Sequence, residues 1–118
     1  MTRINAKSQG TWPWILQRLT AVLLVLFLGT HLAVLHYVPA NMNINVLSVA
    51  VRLKSILYML VDSGLLVLGL FHGLNGIRNV LFDFIIADGP RSWLNRTLLV
   101  VGVGFTIWGA YALWVFIQ

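Results

Sequence analysis

The chain has 118 residues, of which 59% are hydrophobic and 9% charged, with a mean hydropathy of +0.89. That is too apolar for a water-soluble domain of this size. There is no Cys, which removes disulfides and thiolate metal sites. The net charge of +5 comes from basic residues scattered in ones and twos, a pattern that sets membrane orientation and meets lipid headgroups rather than nucleic acid.

Apolar runs long enough to cross a bilayer, about 20 residues each, occur three times. The first is expected over residues 15–38, after a tail of residues 1–13 and an interfacial "WPW". It is too long for a signal-peptide core, and no small-residue cleavage site follows it. Pro39, Asn41, Asn43 and Asn45 end it. A short amphipathic stretch, "INVLSVAVRLK", is expected on the membrane surface. The second span is expected over 55–82 and the third over 97–117. Asp88-Gly89-Pro90, between them, is a turn signal. The expected class is therefore all-α membrane: one domain of three transmembrane helices. Three helices cover little intramembrane polarity, so a second membrane chain is expected to complete the bundle.

Arg3, Lys7, Arg18, Arg78, Arg91 and Arg96 flank one side of these spans, and only Arg52 and Lys54 the other. The positive-inside rule then places the N-terminus and the second connection in the cytoplasm, or in a mitochondrial matrix.

The second span carries "FHGLNGIRNVLFDF". With His72 at zero on a helical wheel, Asn79 falls at about −20°, Asp83 at 20°, Gly76 at 40°, Gly69 at 60° and Asp62 at 80°. One face thus gathers an imidazole, two carboxylates, an amide and small residues. A neutral imidazole can ligate iron, and adjacent glycines admit a flat macrocycle. Asn79 and Asp83 lie nearer the cytoplasmic surface, where propionates, protons or a quinone oxygen would be met. The structural alternative is helix packing through Gly69, Gly73 and Gly76, with His72 hydrogen-bonded across the interface. Arg78 falls at about 240°, off the stripe, and is expected to snorkel to the headgroups.

On the first span, Gln17, Thr20 and His31 share a face. If Arg18 and Arg78 mark one boundary, His31 lies about 20 Å from it and His72 about 9 Å. Two imidazoles about 11 Å apart in depth cannot ligate one haem, but can each serve one of two stacked haems with a partner chain's help. The alternative for His31 is a buried polar crosslink to a Thr or a carbonyl. His36 is expected to snorkel. Asp62 is expected to be an end charge or a partner of Arg52 or Lys54, with a proton station for quinone chemistry as the further option.

His72, Gly76, Arg78 and Asp83 resemble the second-helix signature of the membrane anchor subunits of succinate dehydrogenase and fumarate reductase. "WILQRLTAVLLVLFLGTHLAVLHY" resembles that family's first helix. The resemblance spans residues 12–84, and its "HxxNGxR" form is nearer the D-type anchor, although the C-type shares much of it. It implies haem b at His72, and with His31 present it resembles the two-haem anchors. It also implies partners: a second anchor chain, an iron–sulfur subunit and a flavoprotein subunit. Electrons would pass to menaquinone or ubiquinone in the cytoplasmic membrane, with no succinate chemistry in this chain. Arg18 and Asp83 match the edge of the quinone site. The departure is Phe84, where single-haem D subunits place a tyrosine; the partner chain or the iron–sulfur subunit then supplies that donor, or the quinone sits elsewhere. Two other functions stay open at this stage. One is a small proton-coupled transporter, disfavoured by three spans and no Glu. The other is an anchor without haem.

Overall fold

A computed structural model describes residues 11–37, 43 and 45–118, with the side chains of 35–37 excepted. His36 and the expected tail up to residue 10 therefore fall outside the described part. Four helices follow one another: α1 (Thr11–Tyr37), α2 (Val46–Leu53), α3 (Ile56–Phe84) and α4 (Asp88–Ile117). α1, α3 and α4 are each long and apolar enough to cross a membrane. At 1.5 Å per residue, α3 is about 43 Å long, so its ends project beyond a hydrocarbon core of about 30 Å.

The packing is antiparallel and can be read from facing pairs. Thr20 meets His72, Phe27 meets Gly64 and His31 meets Asp62, each advance along α1 matching a retreat along α3. On the other side of α3, Arg78 meets Asn95, Leu74 meets Gly102 and Leu66 meets Gly109. Gly64 gives its space to the Phe27 ring, and Gly102 and Gly109 give theirs to leucines. A Cβ at any of these three positions would collide with the facing side chain. α3 is thus the middle helix, and α1 and α4 flank it.

α2 is short enough to depend on its ends. Asn45 caps it in a reciprocal box: Ser48 N–H donates to Asn45 Oδ1 at 2.8 Å, and Asn45 N–H donates to Ser48 Oγ at 3.0 Å. The expected surface segment is therefore a helix. The expected turn at Asp88-Gly89-Pro90 is not one. The chain reverses over Ile85–Ala87, and Asp88-Gly89-Pro90 forms the first turn of α4. Pro is tolerated there because the N–H groups of that turn have no intrahelical acceptor, and Asp88 opposes the positive end of the helix dipole. Arg91 closes the corner, donating from Nε to Ile85 O at 2.6 Å and from Nη2 to Phe82 O at 3.0 Å.

Leu53 and Phe82 are the only buried hydrophobic side chains among the described residues. Most of α1, α3 and α4 presents apolar surface outward. The intrahelical hydroxyls of Thr30, Thr97 and Thr106 donate to carbonyls four residues earlier, which removes polar atoms from a surface that meets lipid or another apolar helix.

Candidate functional site

The α1–α3 seam holds two polar clusters at different depths. The first is built on His72. Its Nδ1 lies 3.1 Å from Thr20 Oγ, and that hydroxyl already donates to Leu16 O at 2.7 Å. With its proton committed, Thr20 can only accept, so the network assigns the proton to His72 Nδ1 and leaves a lone pair on Nε2. Gln17 caps that lone pair: its Nε2 is 3.3 Å from His72 Nε2 and 3.2 Å from His72 O. The Gln17 carbonyl accepts from Asn75 Nδ2 at 2.6 Å, which fixes the orientation of the amide. Three side chains from two helices, Thr20, Gln17 and Asn75, thus hold one imidazole in one tautomer.

Beside this ring, Gly69 and Gly73 face open space: a Cβ at either would meet nothing within 4 Å. They do not pack α3 against α1 or α4, so the small-residue stripe is not an internal packing device. Gly76 is different, with Gln17 Nε2 3.4 Å from where its Cβ would stand. A planar macrocycle ligated at His72 would find an imidazole oriented through Nδ1 and bare backbone next to it, but would have to displace the Gln17 amide from Nε2.

The second cluster is His31 and Asp62, with Nδ1 to Oδ1 at 2.8 Å. This corrects two expectations. Asp62 pairs with neither Arg52 nor Lys54, and the partner of His31 is a carboxylate rather than a Thr or a carbonyl. Both ring nitrogens of His31 need partners in a dry setting, and Asp62 satisfies one. The carboxylate–imidazole pair is also the arrangement that orients a metal-ligating histidine. The two clusters are ten residues apart on α3 and eleven on α1, about 15–16 Å along the axes. The expected separation was smaller because Arg18 and Arg78 were set level. The antiparallel register instead brings Arg18 opposite the turn before Arg78.

Asn79 and Arg18 line a cleft of about 360 Å³ with Thr11, Trp14 and Gln17. Arg18 lies over the Trp14 ring, 4.0 Å from its centroid. Asp83 does not join this cleft; it is exposed at the end of α3. The expected stripe therefore divides: His72, Gly76, Asn79 and Asp62 face α1, and Asp83 stands apart. Arg78 does not snorkel freely either. Its Nε donates to Asn95 Oδ1 at 2.7 Å, and its guanidinium lies 4.4 Å from the Phe82 ring centroid. Asn75 was not foreseen; its only signal was an amide inside an apolar run.

Comparison with known proteins identifies the family. Residues 1–111 match the family described as succinate dehydrogenase/fumarate reductase transmembrane subunit. The chain is 33% identical over 101 residues to the succinate dehydrogenase 2 membrane subunit SdhC of Mycobacterium tuberculosis, covering 83% of this chain and 70% of that protein. It is 32% identical over 97 residues to the succinate dehydrogenase hydrophobic membrane anchor subunit of Halobacterium salinarum, covering 81% and 75%. The chain is a multi-pass membrane protein belonging to the succinate dehydrogenase/fumarate reductase transmembrane subunit family.

Proposed function

We propose that this chain anchors a succinate:quinone oxidoreductase in the cytoplasmic membrane, binds haem b, and carries electrons from the complex's iron–sulfur subunit to menaquinone or ubiquinone. The observation that carries the haem reading is the contact of Thr20 Oγ with His72 Nδ1. Thr20 holds Nδ1–H, so Nε2 is the nitrogen offered to a metal. Gln17 caps the same nitrogen and has to turn its amide aside to admit one. His31, oriented by Asp62, is the ligand for a second haem nearer the other leaflet. Bound haem supplies one-electron redox chemistry with no proton required at the metal.

The chain's own residues do the positioning. Gly69 and Gly73 leave the backbone beside His72 uncovered. Arg18 supplies a fixed positive charge at the mouth of the Asn79 cleft, suited to a propionate or a quinone oxygen. Asp83, exposed on the side given to the cytoplasm, is the group placed to exchange protons with water. Phe84 offers no hydroxyl, so the quinone's second donor comes from a partner. That partner set is a second anchor chain with the iron–sulfur and flavoprotein subunits.

A haem-free anchor is the competing reading, favoured by the bonding of both His72 ring nitrogens within the chain. Haem quantification per complex decides between them. Two haems, with one lost in His72→Ala and the other in His31→Ala, is the expected result. A colourless, quinone-reducing complex refutes the haem reading.

A further inference from the structure

A groove of about 450 Å³ runs along the joint between α3 and α4. It lies on the opposite face of the helix layer from the glycines beside His72. With His72 at zero, Gly69 and Gly73 fall at about 60° and 100° on α3, and Phe71 and Arg78, which line the groove, at about 260° and 240°. The groove is graded along its length. Asn75, Arg78 and Asn95 stand at one end, and from there to Val67 and Ile107 the walls are apolar. The one hydroxyl on the way, of Thr106, donates to Gly102 O.

The polar end carries positive charge that the chain does not neutralise. Arg78 donates from Nε to Asn95 Oδ1 at 2.7 Å and from Nη1 to Asn79 Oδ1 at 3.4 Å. Its Nη2 makes no hydrogen bond among the described residues and is not sealed within the fold. A second guanidinium, that of Arg91, shares the Phe82 ring with it, the two standing 5.2 Å and 4.4 Å from the centroid. The acidic side chains are Asp62, Asp83 and Asp88. Asp62 pairs with His31, and among the described residues none forms an ion pair with either arginine. Two neighbouring cations without a carboxylate attract an anion.

The dimensions select its kind. From Arg78 to Val67 is eleven residues and from Asn95 to Ile107 twelve, about 16–18 Å along the helices. That is close to one leaflet, half of a hydrocarbon core of about 30 Å. Arg78 lies six residues before the end of α3, about 9 Å, and α3 outruns the core by about 6 Å at each end. The charge therefore stands where headgroups meet acyl chains, and the apolar walls run from there toward the midplane.

We propose that this groove binds an anionic phospholipid, its phosphate oxygens accepting from Arg78 Nη2 and from the exposed Asn95 amide, and one acyl chain lying along Leu99 and Val103. These two side chains line the groove and are 67% and 50% exposed without an occupant. The lipid covers the α3–α4 joint on the face turned away from Gly69 and Gly73. None of this depends on haem at either histidine.

Native mass spectrometry of the intact complex, extracted in mild detergent, tests it. Arg78→Gln should carry one phospholipid fewer per copy of this chain. Lys54→Gln, changed at an exposed cation beyond the other end of α3, should carry the same number as the unaltered complex. Val103→Trp keeps the guanidinium and fills the groove, so it should lose the same lipid and provides the test if Arg78→Gln does not assemble. Adding phosphatidylglycerol to delipidated complex should restore the mass. Restoration by diacylglycerol, or by inorganic phosphate alone, overturns the proposal. A photocrosslinking residue in place of Leu99 should gain the mass of a phospholipid; capture of a protein chain there overturns the proposal, since a helix would then fill the groove. An unchanged lipid count in both Arg78→Gln and Val103→Trp overturns it as well.

Discussion

Replacing Thr20 with valine removes one oxygen from the α1–α3 seam and leaves the volume almost unchanged. Thr20 is 6% exposed, and its hydroxyl does two things: it donates to Leu16 O and accepts from His72 Nδ1. The first is dispensable, because Leu16 O retains its ordinary helical acceptor role toward the residue 20 amide. The second is not, because Nδ1–H is then left in an apolar seam. Interhelical hydrogen bonds in membranes average about 0.6 kcal/mol with a maximum near 1.7, so the fold should survive, weakened by about 1 kcal/mol. The haem site proposed at His72 should suffer more. Loss of the group that orients a ligating histidine typically lowers metal affinity about 10–100-fold, equivalent to about 1.4–2.8 kcal/mol. Haem titration of the delipidated, haem-stripped complex, followed by the b-type absorption band, measures this. Thr20→Ser keeps the acceptor and should bind as the unaltered chain does. If Thr20→Val binds haem with unchanged affinity and unchanged potential, the Thr20–His72 bond does not set the ligand, and the tautomer argument fails.

Other consequences are equally direct. A double-mutant cycle on His31→Ala and Asp62→Ala should give a coupling of about 1 kcal/mol, read by steric-trap or denaturant unfolding in bicelles; additivity would mean that the 2.8 Å pair contributes nothing. Gly109→Ala should destabilise the α3–α4 contact by about 1–3 kcal/mol through overlap with Leu66, by the same assay. Gly73→Leu should leave the chain's own stability within about 0.5 kcal/mol, as expected of a site away from any packed feature, yet abolish haem incorporation in the assembled complex, since its Cβ meets open space in the chain alone. Arg91→Ala should uncap Phe82 O and Ile85 O and raise hydrogen exchange locally at the end of α3, with exchange at the centre of α1 unchanged.

Much of this was legible in the sequence because membrane helices obey few rules. Uninterrupted apolar length fixed the three spanning helices, and helical periodicity put Gln17, Thr20 and His31 on one face of α1 and His72, Gly76 and Asn79 on one face of α3. What periodicity cannot supply is the register between two helices. It placed Asp62 beside Arg52 in sequence and missed that the antiparallel offset carries it to His31. It gave Arg78 to the headgroups, because nothing in α3 alone reveals that Asn95 of α4 stands opposite. Asp-Gly-Pro predicts a turn because each residue favours one. In the fold, the reversal is made just before it by Ile85–Ala87, and the same three residues suit a helix start equally well.

The asymmetry between the two sides of α3 is the clearest link from sequence to function. Toward α4, α3 offers Leu66 and Leu74 into glycine recesses, with polar contact confined to the Arg78–Asn95 end. That is packing without chemistry, and it makes α4 a strap. Toward α1, α3 offers His72, Asn75 and Asp62, each met by a polar partner placed for it. Polar groups in a bilayer interior are costly wherever they lack partners, and ordinary helix packing does not require them, as the α3–α4 side demonstrates. Two imidazoles about 15 Å apart along that seam, one bonded at both ring nitrogens and one at Nδ1, are what the proposed haem binding rests on. The Thr20 contact at His72 Nδ1 leaves Nε2, which Gln17 caps in this chain, as the nitrogen that the proposed haem would take.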